Sequence, residues 1–131
     1  MIYNALGYTL ADRTTRYEEA RALIEKALAL KPDDPFILDS MGWVLFKQGK
    51  YTEALGFLKK ASADRDGEDA TILDHLGDCL DKLKQKKPAI KNWKKALEVA
   101  RKAERPDKKL IERIEKKLKD AGQKAKPPKK K

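Results

Sequence analysis

The chain of 131 residues carries one histidine, His75, and one cysteine, Cys79. Four positions apart, they share a helical face, the spacing at which an imidazole can take a proton from a thiol. Nothing nearby supplies an oxyanion hole or a substrate pocket, and Cys79 falls in the apolar register of Val44. A small core residue is therefore the expected role. A second cluster, Asp64, Asp66 and Asp69 around Gly67, invites a calcium reading. The EF-hand order fails, because the third ligand should precede the glycine and position twelve would be His75 in place of glutamate. A lone cysteine without Cys or His partners at ligand spacing makes no zinc site and no internal disulfide. These residues predict no catalytic, metal or cofactor site, so binding is the chemistry left to explain.

Charge sets the first limits on that binding. Net charge is +10, with 31 Lys and Arg against 21 Asp and Glu. Residues 1–81 hold 10 basic and 15 acidic side chains, while 82–131 hold 21 and 6. The basic half would attract polyanions or an acidic partner, and the acidic half a basic peptide or the chain's own tail. The hydrophobic share of 40% is enough for one packed domain, and no apolar run reaches the length of a membrane span. Met1-Ile2-Tyr3 opens without a basic, then apolar, secretory pattern.

A 35-residue period organises the chain. Leu6-Gly7-Tyr8, Met41-Gly42-Trp43 and Leu76-Gly77-Asp78 recur in register, preceded by Tyr3, Leu38 and Leu73 and followed by Leu10, Leu45 and Leu80. A second helix follows each time, with small, large and small residues on one face: Ala20, Ile24, Ala27; Ala54, Leu58, Ala61; Ala89, Trp93, Ala96. Glycine and alanine there let backbones approach closely. Asp34 before Pro35 starts a helix, Gln48-Gly49-Lys50 separates two, and Pro88 sits near the start of another. The pattern predicts helices over about 2–13, 17–30, 35–48, 51–63, 70–85 and 88–104. A seventh follows, capped by Asp107, striped by Leu110, Ile111, Ile114 and Leu118, and ended by Gly122, with Glu112–Lys116 and Glu115–Lys119 pairs on its surface. Its polar outer surface suits a cap that closes a repeat stack, and 123–131 reads as a disordered basic tail.

These residues resemble the tetratricopeptide repeat (TPR) family over 1 to about 104. The signature positions are filled in all three units, although the second unit lacks its turn proline and the third runs on to Glu104. The stretches Asn4–Asp12 and Ile37–Trp43 are also similar to C-terminal repeats of bacterial TPR proteins, several of them envelope-associated. The resemblance implies an all-α, right-handed superhelical solenoid: repeats at 1–34, 35–69 and 70–106, then a capping helix at 107–122. It also implies a groove lined by the first helix of each unit that grips a peptide or a partner's helix. If Tyr3, Leu6, Leu10 and their equivalents face the core, helical geometry leaves Asn4, Tyr8, Asp12; Asp39, Trp43, Lys47; and Asp74, Asp78, Lys82 on the opposite stripe. Phe36, Ser40, Thr71 and His75 flank them. TPR clamps for the acidic C-termini of heat-shock chaperones use Lys, Asn and Arg. Asn4, Tyr8, Ser40, Thr71 and His75 stand at the matching positions, which disfavours an acidic ligand. Carboxylates beside aromatic rings suit a segment with Lys or Arg and apolar anchors.

Alternatives stand beside each of these expectations. Tyr8 and Trp43 either face the groove or pack against the adjacent repeat, whereas Trp93 belongs in the core. Asp39, Asp74 and Asp78 form either a binding stripe or a solvated face. Lysines 84, 86, 87, 91, 94 and 95, with Arg101, Lys102 and Arg105, either bind nucleic acid or anionic lipid, or only solubilise the surface. The aromatics that single-strand binding favours are absent after Trp93. The first repeat, if nothing precedes it, exposes apolar surface that favours a homo-oligomer. A protein or peptide partner is the main expectation, with nucleic acid second, in the cytoplasm or at a bacterial envelope if the chain is part of a longer one.

Overall fold

A computed structural model describes residues 2–63 and 69–122. It contains seven α-helices: α1 (Ile2–Arg13), α2 (Tyr17–Leu30), α3 (Pro35–Lys47), α4 (Tyr51–Ala63), α5 (Ala70–Lys82), α6 (Lys86–Lys102) and α7 (Lys108–Asp120). No strand occurs among the described residues. The fold is an all-α helical repeat. The expected basic tail, 123–131, and two carboxylates of the calcium reading, Asp64 and Asp66, lie outside the described residues. The third, Asp69, is an N-cap.

Helix starts follow local chemistry. The Asp34 carboxylate accepts from the Phe36 and Ile37 N–H groups at 2.9 and 3.2 Å, with Pro35 in the first turn. Asp69 repeats this at α5, accepting from Thr71 and Ile72 at 2.9 and 3.2 Å, and Asp107 accepts from Leu110 N–H at 3.1 Å. Each carboxylate satisfies N–H groups that have no partner inside the helix. α6 begins two residues earlier than its proline suggests. Pro88 is its third residue, still within the first turn where a missing N–H costs nothing.

The turn inside the second and third helical pairs is one design used twice. Gly49 has φ +79° and its equivalent, Lys84, φ +62°. In each case the next N–H reaches back five residues, Lys50 to the Leu45 carbonyl and Gln85 to that of Leu80, both at 2.9 Å. α5 therefore stops at Lys82, short of the expected 85. The first pair turns differently. Thr14 Oγ1 donates to the Leu10 carbonyl at 2.6 Å and accepts from Arg16 N–H at 3.1 Å.

The chain divides into two compact units, Met1–Gly67 and Glu68–Lys131. In the first, α1 pairs with α2 and α3 with α4, and α3 also packs on both α1 and α2. In the second, α5 pairs with α6, and α7 packs on α6 with Leu110, Ile114 and Leu118 buried. The repeated glycines are where paired helices come closest. A Cβ built on Gly7 would lie 2.6 Å from Ile24, one on Gly42 2.6 Å from Leu58, and one on Gly77 2.4 Å from the Trp93 indole. The small and large positions of the repeat thus interlock. One core expectation needs correcting. Leu38, Met41, Leu45 and Leu73, Leu76, Leu80 are buried, but Tyr3 and Leu6 remain 41% and 51% exposed. The helices packed on α1 are α2 and α3, and Lys26 Nζ of α2 stands over the Tyr3 ring at 5.5 Å.

Candidate partner-binding faces on the first helices

On α1, the positions of the expected stripe give two half-buried residues, Asn4 and Tyr8, and an exposed one, Asp12. Asn4 Oδ1 is buried and has no donor among the described residues. Gln48 Oε1 shares that condition, although Gln48 Nε2 donates to Glu18 at 2.8 Å. Asp12 is already engaged, accepting from Trp43 Nε1 at 3.2 Å.

On α3, Phe36 is 50% exposed and Lys47 half-buried, while Asp39, Ser40 and Trp43 are buried. Ser40 Oγ donates to the Phe36 carbonyl at 3.0 Å, a bond within its own helix. The reading that placed the Trp43 ring in the open is corrected: the residue is 8% exposed. Phe46 stacks on it at 4.9 Å and 5°, Lys47 Nζ stands 4.8 Å from the ring centroid, and its N–H belongs to Asp12. The packed alternative for this tryptophan is the one realised. Trp43, Phe46 and Tyr51, whose ring meets Phe46 edge-on at 5.3 Å, form an aromatic cluster.

On α5, Thr71 is half-buried, Asp74 and His75 are buried, and Lys82 is exposed. The acidic pair is neither solvated nor open. Lys117 Nζ of α7 lies 2.8 Å from Asp74 Oδ1 and 3.0 Å from Asp78 Oδ2, and Trp93 Nε1 donates to Asp78 Oδ1 at 3.2 Å. Burial pushes the Asp78 carboxyl above its ordinary value, the nearby Asp74 charge adds to the rise, and Lys117 opposes it. Trp93 and Cys79 are core residues, as expected. Burial and the Asp78 charge push the Cys79 thiol up to about 11, the reverse of what a nucleophile needs.

Two participants escaped the sequence reading. Lys117 flanks the α7 apolar stripe, three residues after Ile114, and nothing local marks it as a partner of α5. Glu115, expected to pair with Lys119, instead accepts from Arg101 Nη2 of α6 at 2.9 Å. No group of three or more His, Cys, Asp or Glu fit to hold a metal occurs among the described residues. No described helix is long and apolar enough to cross a membrane.

Paired helices in a 35-residue register, with glycines seated against the second helix, define a TPR-type helical repeat. The family model described as anaphase-promoting complex, cyclosome, subunit 3, of the TPR type, matches residues 13–96. The chain belongs to this family, whose members are interaction scaffolds. It is 56% identical over 78 residues, 60% of its length, to the TPR repeat-containing protein PA4667 of Pseudomonas aeruginosa, and spans 13% of that protein. Its structure is similar to the type III secretion translocator chaperone SycD of Yersinia enterocolitica, with TM-score 0.78, 19% identity, and coverage of 92% of this chain and 81% of that one. The Sgt2 TPR domain of Aspergillus fumigatus gives TM-score 0.70 at 21% identity, covering 99% and 85%. PcrH in complex with the chaperone binding region of PopD gives 0.78 at 17%, covering 92% and 89%. At these identities the structures share the fold.

Proposed function

We propose that this chain is a non-enzymatic scaffold that holds a segment of a partner protein on the faces of its first helices. The observation that carries the reading is the α1 stripe, where Asn4 Oδ1 is buried without a donor beside half-buried Tyr8. A buried acceptor left unpaired costs on the order of 1–3 kcal/mol, and a rotation of the Asn4 amide toward the surface would let an N–H from a bound segment recover it. Phe36 on α3, half exposed, offers an apolar contact of the kind that anchors peptides. PcrH, of the same fold, was solved with the chaperone binding region of PopD, which supports a protein segment as the ligand class.

The ligand is a basic or amphipathic segment. Asp12 is exposed on the same stripe, and its carboxylate has accepting capacity beyond the Trp43 N–H. The test is a pull-down from nuclease-treated bacterial lysate at moderate salt, comparing three chains: native, Asn4→Ala/Tyr8→Ala/Phe36→Ala, and Lys87→Glu/Lys91→Glu/Lys94→Glu. A defined protein lost only with the first variant supports the reading. Loss with the lysine variant alone, steep in salt, moves the function to polyanion binding on α6.

A further inference from the structure

The α5 carboxylates that a basic segment would use are held by the chain itself. Lys117 Nζ sits 2.8 Å from Asp74 Oδ1 and 2.9 Å from Asp78 Oδ1. It comes from α7, 39 and 43 positions along the chain. Neighbouring lysines of α7, Lys108, Lys109, Lys116 and Lys119, are exposed, whereas Lys117 is turned in. A lysine ammonium between two nearly buried carboxylates is the arrangement a bound basic side chain would make.

The hold of α7 on the rest of its unit is narrow. Leu110, Ile114 and Leu118 supply its buried apolar surface, and Arg101–Glu115 at 2.9 Å is a partly exposed tether. Burying an ion pair is a poor route to stability, since apolar residues of equal volume do as well or better. A pair that must be able to open is a better reason to keep one.

We propose that α7 is an internal competitor. Lys117 occupies the Asp74–Asp78 pair in place of a partner's lysine or arginine, and the α5 face accepts a basic segment only when α7 lifts. The proposal rests on the reading that first-helix faces hold a partner segment. It adds a regulation of that binding, since whatever draws α7 away, through its lysine-rich outer surface, would open the site.

The experiment measures binding of a short, amidated, fluorescein-labelled peptide of alternating lysine and leucine. Four chains are compared: native, Glu115→Gln, Lys117→Met and Asp74→Asn/Asp78→Asn. Glu115→Gln loosens the tether without touching the carboxylates, so it remains informative if Lys117→Met folds poorly. Hydrogen exchange of the α7 amides is followed in each. Release of α7 should tighten binding about tenfold or more, the low end for a charge-assisted contact regained by the ligand. The double Asp variant should exchange faster in α7 and show no such gain.

Equal affinity of the native chain and of a Glu115→Gln or Lys117→Met chain whose α7 exchanges faster overturns the competitor role and leaves the partner reading in place. α7 amides as well protected in Lys117→Met and the double Asp variant as in the native chain also overturn it, because the clasp then holds nothing. Failure of every folded chain to bind the peptide overturns both.

Discussion

Replacing Gly77 by alanine places a methyl inside the Trp93 indole, 2.4 Å from Cδ1 and Nε1 and 3.0 Å from Cε2. Carbon atoms prefer about 3.5–4.0 Å, so the ring must retreat by about 1 Å or the helices must part. Trp93 cannot retreat freely, since it is buried and its N–H is committed to Asp78 at 3.2 Å. Overpacking costs about 1–3 kcal/mol, and loss of a hydrogen bond to a charged acceptor about 1.5–3. Alanine returns about 0.5–1 kcal/mol of helix propensity. The net expectation is a loss of about 1.5–5.5 kcal/mol. Gly56, on α4, is the control: a Cβ there meets nothing within 4 Å, so Gly56→Ala should stabilise by about 0.5–1 kcal/mol. Thermal unfolding followed by circular dichroism separates them by about 6 °C or more, at about 3–6 °C per kcal/mol for this size. Trp93→Leu added to Gly77→Ala should recover part of the loss as a coupling term. A Gly77→Ala chain as stable as Gly56→Ala would refute the interlocking account.

Three further outcomes follow from single residues. Lys84→Gly should stabilise by about 1 kcal/mol in urea unfolding, because φ +62° strains a side chain that its equivalent, Gly49, lacks. Asp78 binds its proton more tightly folded than unfolded, first through burial and then through Asp74, so its contribution is full below 3.8 and lost as pH rises through the folded value. The native chain should therefore gain on Asp78→Asn as pH is lowered through that window, read as the difference in their urea midpoints. An opposite slope would mean that Lys117 outweighs burial. Cys79, buried with its thiol near 11, should resist iodoacetamide in the folded chain at mildly alkaline pH and react fully in denaturant.

The helices were legible because what fixes them is local. Asp34, Asp69 and Asp107 each lie within three residues of the N–H groups they cap, and the glycine register repeats three times. The sequence pattern misplaced the end of α5, because Lys84 takes a conformation normally signalled by glycine and carries no glycine to signal it. Tyr3 and Leu6 show the complementary error. Their register positions are core in the other two pairs, but burial needs a neighbour on the right side, which periodicity does not supply.

The candidate site was less legible for a related reason. A polar stripe at four-residue spacing says which side chains share a face, not what lies over it. Asp12 meets Trp43 across 31 positions and Asp74 meets Lys117 across 43. Neither pairing has a helical period, and each is decided by where a later helix runs. Lys117 is one of many lysines in a basic half, so composition marks it as solvated. Only its place beside Ile114 and Leu118, on a helix packed to α6, turns it inward. The charge asymmetry between the two halves of the chain thus has a local counterpart within the second unit. The carboxylates of α5 and Lys117 of α7 already meet there, so the basic segment proposed above would have to compete with the chain's own lysine for a seat at Asp74 and Asp78.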